Sequence, residues 1–234
     1  MKKSIIIAAL AAIAFAQTVS AQTNLQTFYD FGKDRQYITT TFEMFKGDQY
    51  GDTFFFIDHY YSQSKQRDAG AGSAINGSYF EIERGINFWQ DSKLANLSGM
   101  LEYDGATWGS GIFGIGAKYF FHSADFRNTF TIEAFYDINI GYGEADIPLK
   151  ISGVWGMNDF LGIKKLCFKG FFDFWGNNSV FGNDVTKFSF LTEPQLWYAL
   201  GEHLNIGGEV ELSYNFAGCK GFMCNPCAGL KWNF

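Results

Sequence analysis

The chain has 234 residues and a formal net charge of −6, and 19% of it is aromatic, with 27 Phe and 12 Tyr. A net acidic chain argues against nucleic acid as a partner, because that binding is driven by neutralising phosphates. Beyond residue 21 no apolar run reaches the roughly 20 residues that a membrane-spanning helix needs, while 27 Gly and only 3 Pro fit many extended segments.

The first 21 residues read as a secretory signal peptide. Lys2 and Lys3 form a positive start, residues 5–15 a short apolar run, and Val19-Ser20-Ala21 a small-residue cleavage site. Cleavage after Ala21 leaves residues 22–234 as the mature domain, more acidic by the two lost lysines.

The mature chain divides into about twelve segments of alternating polarity: 24–31, 36–46, 52–62, 75–89, 94–104, 111–122, 128–142, 147–156, 164–176, 185–199, 203–216 and 225–234. The rhythm is cleanest where Phe130, Ile132, Ala134, Tyr136, Ile138, Ile140 and Tyr142 share one face, against Thr131, Glu133, Asp137 and Asn139 on the other, with Phe135 among them. In 204–216, Leu204, Ile206, Val210, Leu212, Tyr214 and Phe216 alternate with Asn205, Glu209, Glu211, Ser213 and Asn215. Strict period two marks strands, and these are long for globular strands of about 5–6 residues. They suit tilted membrane crossings of roughly 9–11 residues. The predicted fold is all-β: a transmembrane antiparallel up-and-down β-barrel of about 12 strands. Stretches 62–74, 143–146, 177–184 and 217–224 are expected as longer loops at one end, and residues 64–72 as an exposed tip. Ala228, Leu230, Trp232 and Phe234 alternate to an aromatic terminus. That pattern resembles the signal read by outer-membrane assembly machinery, which with membrane lipid is an expected partner of a monomeric barrel.

With apolar residues toward lipid, the polar face lines the interior, since Lys or Arg facing lipid at mid-membrane costs roughly 2–4 kcal/mol. The inward set is Glu43, Asp58, Glu81, Glu83, Glu102, Asp104, Lys118, Glu133, Asp137, Lys150, Lys169, Asp173, Lys187, Glu193, Glu209, Glu211 and Lys231. Acids outnumber bases. The pattern predicts an electronegative channel for neutral or cationic solutes; the other reading is an interior filled by its own ion pairs. Phe54 and Phe56 share a face with Asp58, and Phe171 and Trp175 share one with Asp173. Such a face stacks a planar ring and hydrogen-bonds its polar edge. Arg84 breaks the pattern by falling on the apolar side, through a bulge that resets register or as an arginine that snorkels to the interface.

Phe54-Phe55-Phe56-Ile57-Asp58, Tyr79-Phe80-Glu81-Ile82-Glu83-Arg84, Phe171-Phe172-Asp173-Phe174 and Phe190-Leu191-Thr192-Glu193-Pro194-Gln195-Leu196 resemble the nucleoside-specific channel-forming outer-membrane porin family, in the same order along most of the mature chain. The resemblance implies a twelve-stranded monomeric barrel that passes nucleosides through a narrow pore, binding them with aromatic and ionisable side chains. Phe54, Phe56, Asp58, Glu81, Glu83, Asp173 and Glu193 lie in the matched patches. The cysteine-bearing segment near the end departs from the family pattern.

Cys167, Cys219, Cys224 and Cys227 are even in number in a chain read as exported, which predicts disulfides. Cys219 and Cys224 flank an expected loop and are one candidate pair among three connectivities. Their spacing with Cys227 matches part of an iron–sulfur pattern, but no fourth cysteine follows, so no cofactor is expected. His59 and Ser78 are the residues that a lipid hydrolase would need on the outer surface. No nucleophile motif surrounds Ser78, so no enzymatic activity is expected.

Overall fold

The computed structural model describes residues 21–33, 35–62, 75–141 and 144–234. The expected signal peptide, but for Ala21, and the expected tip at 64–72 lie outside the described residues. Thirteen strands run in chain order: β1 (Gln22–Asp30), β2 (Ile38–Asp48), β3 (Gly51–Tyr61), β4 (Ile75–Ile86), β5 (Leu97–Ala106), β6 (Gly111–His122), β7 (Asn128–Ile140), β8 (Leu149–Asn158), β9 (Leu166–Phe181), β10 (Asp184–Thr192), β11 (Gln195–Ala199), β12 (Leu204–Phe216) and β13 (Cys219–Asn233). Neighbours pair antiparallel, and β1 pairs with β13 to close the sheet. β10 and β11 are two halves of one stave, because both lie between β9 and β12. Glu193-Pro194 parts them; Pro194 has no N–H to give the ladder. The barrel therefore has twelve staves, the number expected from the alternation.

The start of β1 and the end of β13 share one end of the barrel. At the far end, two expected loops are strand instead. β9 runs on to Phe181 and β10 begins at Asp184, and the β12–β13 connection is only Ala217-Gly218. Both of these residues have positive φ, 50° and 78°, as in the mirror-image turn whose twist matches that of the strands it joins. Asn177, Asn178, Ser179 and Gly221 are turn formers, but the facing strand supplies ladder partners along these stretches, so the hairpins extend as projecting ribbons. Consequently Cys219, Cys224 and Cys227 all lie on β13. Five residues of extended chain put Cys219 and Cys224 about 17 Å apart, beyond disulfide reach, and all four cysteines are free thiols.

The barrel inverts the polarity of a soluble protein. Leu101, Ile115, Tyr136, Ile151, Leu196 and Leu230 stay exposed on its outside, forming the apolar band that faces lipid in such barrels. The buried residues are mostly polar: only Phe28, Met100, Phe135 and Trp197 are buried hydrophobics among the described residues. Arg84 lies on the outer face. The β4 register is unbroken through it, so no bulge turns it inward. Its guanidinium grips Asp48 on the terminal-end turn, Nη1 to Oδ2 at 2.8 Å and Nη2 to Oδ1 at 2.9 Å, and reaches Thr53 at 3.0 Å. It snorkels.

Candidate functional site: the barrel lumen

Alternation turns Phe54, Phe56 and Asp58 of β3 inward, and the register sets Phe54 opposite Glu83, Phe56 opposite Glu81 and Asp58 opposite Tyr79 on β4. The next strand continues the rows, with Glu102 opposite Glu83 and Asp104 opposite Glu81. One wall thus carries five carboxylates beside three rings: Phe54 and Phe56 stand 5.9 Å apart, Phe56 and Tyr79 5.7 Å. Like charges directly opposed across a ladder destabilise it. Partial compensation comes from Lys150 of β8, which ion-pairs with Glu102. Lys118 pairs with Asp52 at 2.6 Å. Asp58 accepts from Thr41 at 2.5 Å.

The opposite wall, six staves away, presents Phe171, Asp173 and Trp175 of β9. Asp173 accepts from Ser152 Oγ at 2.5 Å, and Trp175 meets the Phe216 ring edge-on at 5.8 Å. Glu193 sits at the break in the tenth stave. Its N–H donates to the Phe171 carbonyl at 3.1 Å, and Glu209 and Glu211 lie close enough to repel its carboxylate, as does Asp58 from the other wall. Toward the far end, Arg35, just before β2, forks onto Glu211 at 2.6 and 2.7 Å and reaches Asp30 at 3.3 Å. Burial opposes the Arg35 charge, but the Glu211 carboxylate outweighs it and holds the guanidinium above its ordinary pKa. Lys187, expected inside, is instead exposed at the far rim and paired with Asp146; the projecting ribbons carry it beyond the lumen.

Two rows of the sheet carry large inward rings that narrow the interior. Phe135 lies against Gly114 and Gly116 of β6, where a Cβ would come within 3.1 and 2.9 Å of its ring. The Lys150 ammonium sits 4.8 Å from the centre of the same ring, a cation–π contact. Phe28, Gly229, Gly207 and Trp197 form another row across four strands. The two glycines leave a hollow in which Phe28 and Trp197 meet at 5.6 Å, under the Lys231 ammonium 4.4 Å from the indole. The sequence reading missed both fillings. The signal was present in the inward glycines, because a bare position beside a large inward ring lets that ring lie flat.

The nine expected site residues therefore form two facing patches: Phe54, Phe56, Asp58, Glu81 and Glu83 on one side, and Phe171, Asp173, Trp175 and Glu193 on the other. On the outer surface, His59 Nδ1 and Ser78 Oγ are 2.7 Å apart. Among the described residues, no carboxylate is hydrogen-bonded to the imidazole to orient it, the third element of a nucleophilic triad.

The backbone is similar to solved outer-membrane barrels of low identity. The NanC porin matches with a TM-score of 0.57 at 13% identity, over 91% of this chain and 100% of that one. The KdgM porin, solved in complex with disordered oligogalacturonate, matches at 0.51 and 8%, over 91% and 99%. Outer membrane phospholipase A from Escherichia coli matches at 0.58 and 9%, over 94% and 96%. No curated protein matches the chain significantly. The model of DUF5020, described as a domain of unknown function, matches residues 17–234, and the chain belongs to that family.

Proposed function

We propose that this protein is a passive, non-enzymatic channel of the Gram-negative outer membrane for small polar solutes, favouring cations and neutral molecules. Nucleosides are the solute class. The observation that carries this reading is the pair of facing walls, each setting aromatic rings beside carboxylates inside a closed barrel. A planar base stacks on Phe54, Phe56 or Trp175 while its polar edge or sugar hydroxyls bond to Asp58, Asp173 or Glu193. Excess carboxylates replace cation hydration and repel anions. The barrel works as a monomer in membrane lipid, with β13 offering Leu230 and Trp232 on its exposed apolar face to lipid and to the assembly machinery. A second reading, a structural barrel that conducts nothing, draws on the depth of the middle layers, where Glu102, Glu133 and Phe135 are only 2%, 3% and 2% exposed.

Single-channel recording of refolded protein in a planar bilayer tests both readings. Small current steps that nucleosides block and simple sugars do not support the proposal. Steps insensitive to nucleosides remove that substrate, and silence from folded protein moves the reading to the structural barrel. Asp58→Asn combined with Asp173→Asn should bring the reversal potential in a salt gradient toward zero. An unmoved potential would show that these carboxylates do not set selectivity.

A further inference from the structure

On the β4–β5 wall, one oxygen each from Glu81, Glu83 and Glu102 lies within 4.8 Å of the other two. That span is twice the Ca²⁺–oxygen distance of about 2.4 Å, and wider than Mg²⁺ at roughly 2.0–2.1 Å draws together. The carboxylates meet head-on across the ladder, Glu83 with Glu102 and Glu81 with Asp104. Protein cations compensate them only in part: Lys150 serves Glu102, and Lys118 is taken by Asp52. Two more carboxylate oxygens beside this trio are buried without any hydrogen-bond partner, Asp104 Oδ1 and Glu133 Oε2, on residues only 6% and 3% exposed. Asp104 stands directly opposite Glu81, and Glu133 is close enough to Glu83 for the two charges to repel. A buried carboxylate oxygen with no donor is costly, and no described side chain supplies one.

We infer that this wall binds a divalent cation of the Ca²⁺ class, ligated by Glu81, Glu83 and Glu102, with the Asp104 carboxylate beside it opposite Glu81. A hard cation takes oxygen ligands in flexible, irregular sets, which suits carboxylates fixed by strand register rather than by a dedicated loop. The ion neutralises the opposed pairs and offsets the charge of the orphaned Asp104 and Glu133 oxygens beside them, adding to the partial compensation from Lys150. The site exists whether or not the lumen conducts.

The test is titration of chelator-stripped, folded barrel in detergent with Ca²⁺ by calorimetry, and with Tb³⁺ by sensitised emission. Tyr79, whose hydroxyl lies 3.4 Å from Glu81 Oε2, is the antenna. One ion per chain is expected. Glu83→Gln, which relieves repulsion and so should fold, should weaken binding about tenfold or more, with Glu81→Gln as the second variant. Glu209→Gln, in the other acidic cluster, should leave binding unchanged. No saturable binding by wild-type protein with folded, heat-modifiable migration overturns the inference. So does binding that both cluster variants leave intact, or that Glu209→Gln alone abolishes. Bilayer current is a separate readout, so failure here leaves the channel proposal standing.

Discussion

Lys150→Met is expected to destabilise the folded barrel by about 3–5 kcal/mol, the usual cost of removing one partner of a buried ion pair. Its ammonium pairs with Glu102, whose side chain is 1% exposed, and it also attracts Asp104 and Asp173. Methionine keeps most of the side chain's length but removes the ammonium from over the Phe135 ring and leaves these carboxylates without their cation. The effect is read as a lower midpoint of urea unfolding in micelles, with heat-modifiable migration on gels as a second measure. Adding Glu102→Gln should restore part of the loss, because it removes the stranded charge. If Lys150→Met unfolds at the wild-type midpoint, Lys150 is not the counter-ion of the middle layer.

The second large effect is on the width of the lumen. Phe135→Ala removes a ring that is 2% exposed and lies over the Gly114–Gly116 stripe. In a dry core, Phe→Ala costs about 3–5 kcal/mol; here water can enter the space left, so the loss should fall at or below the lower end. Conductance per open channel should rise, since ring and glycines together narrow the interior. If the barrel folds and its conductance does not change, the constriction lies in another layer, with the Phe28–Trp197 row the next to truncate.

Much of this architecture was legible in the sequence because a barrel wall is written residue by residue. Inward Glu133 and outward Ile132 differ by a single step in a period-two pattern, so the charges themselves report the face. The same rule assigned Phe54, Phe56, Asp58, Glu81 and Glu83 to one interior face before their pairing was known. What stayed hidden depends on register between strands, which no local pattern encodes. That Glu83 meets Glu102, or that Lys150 reaches Glu102 across two intervening strands, follows only from how far each hairpin slides. The ribbons at 177–184 and 217–224 were misread for a related reason: polar residues and glycine look like a loop when the partner strand is not in view. Arg35 was missed because its role is set by Glu211, 176 positions away.

The Phe28–Trp197 contact joins residues 169 positions apart in sequence, and two further strands lie between them. Adjacent hairpins such as β12–β13 are local and close early, whereas this ring pair forms only when the first strand finds the last. Loop-closure entropy makes such long-range contacts late in folding. The pair is therefore a latch on the seam, its burial marking the step at which an open, edge-bearing sheet becomes a cylinder with no edge left to aggregate.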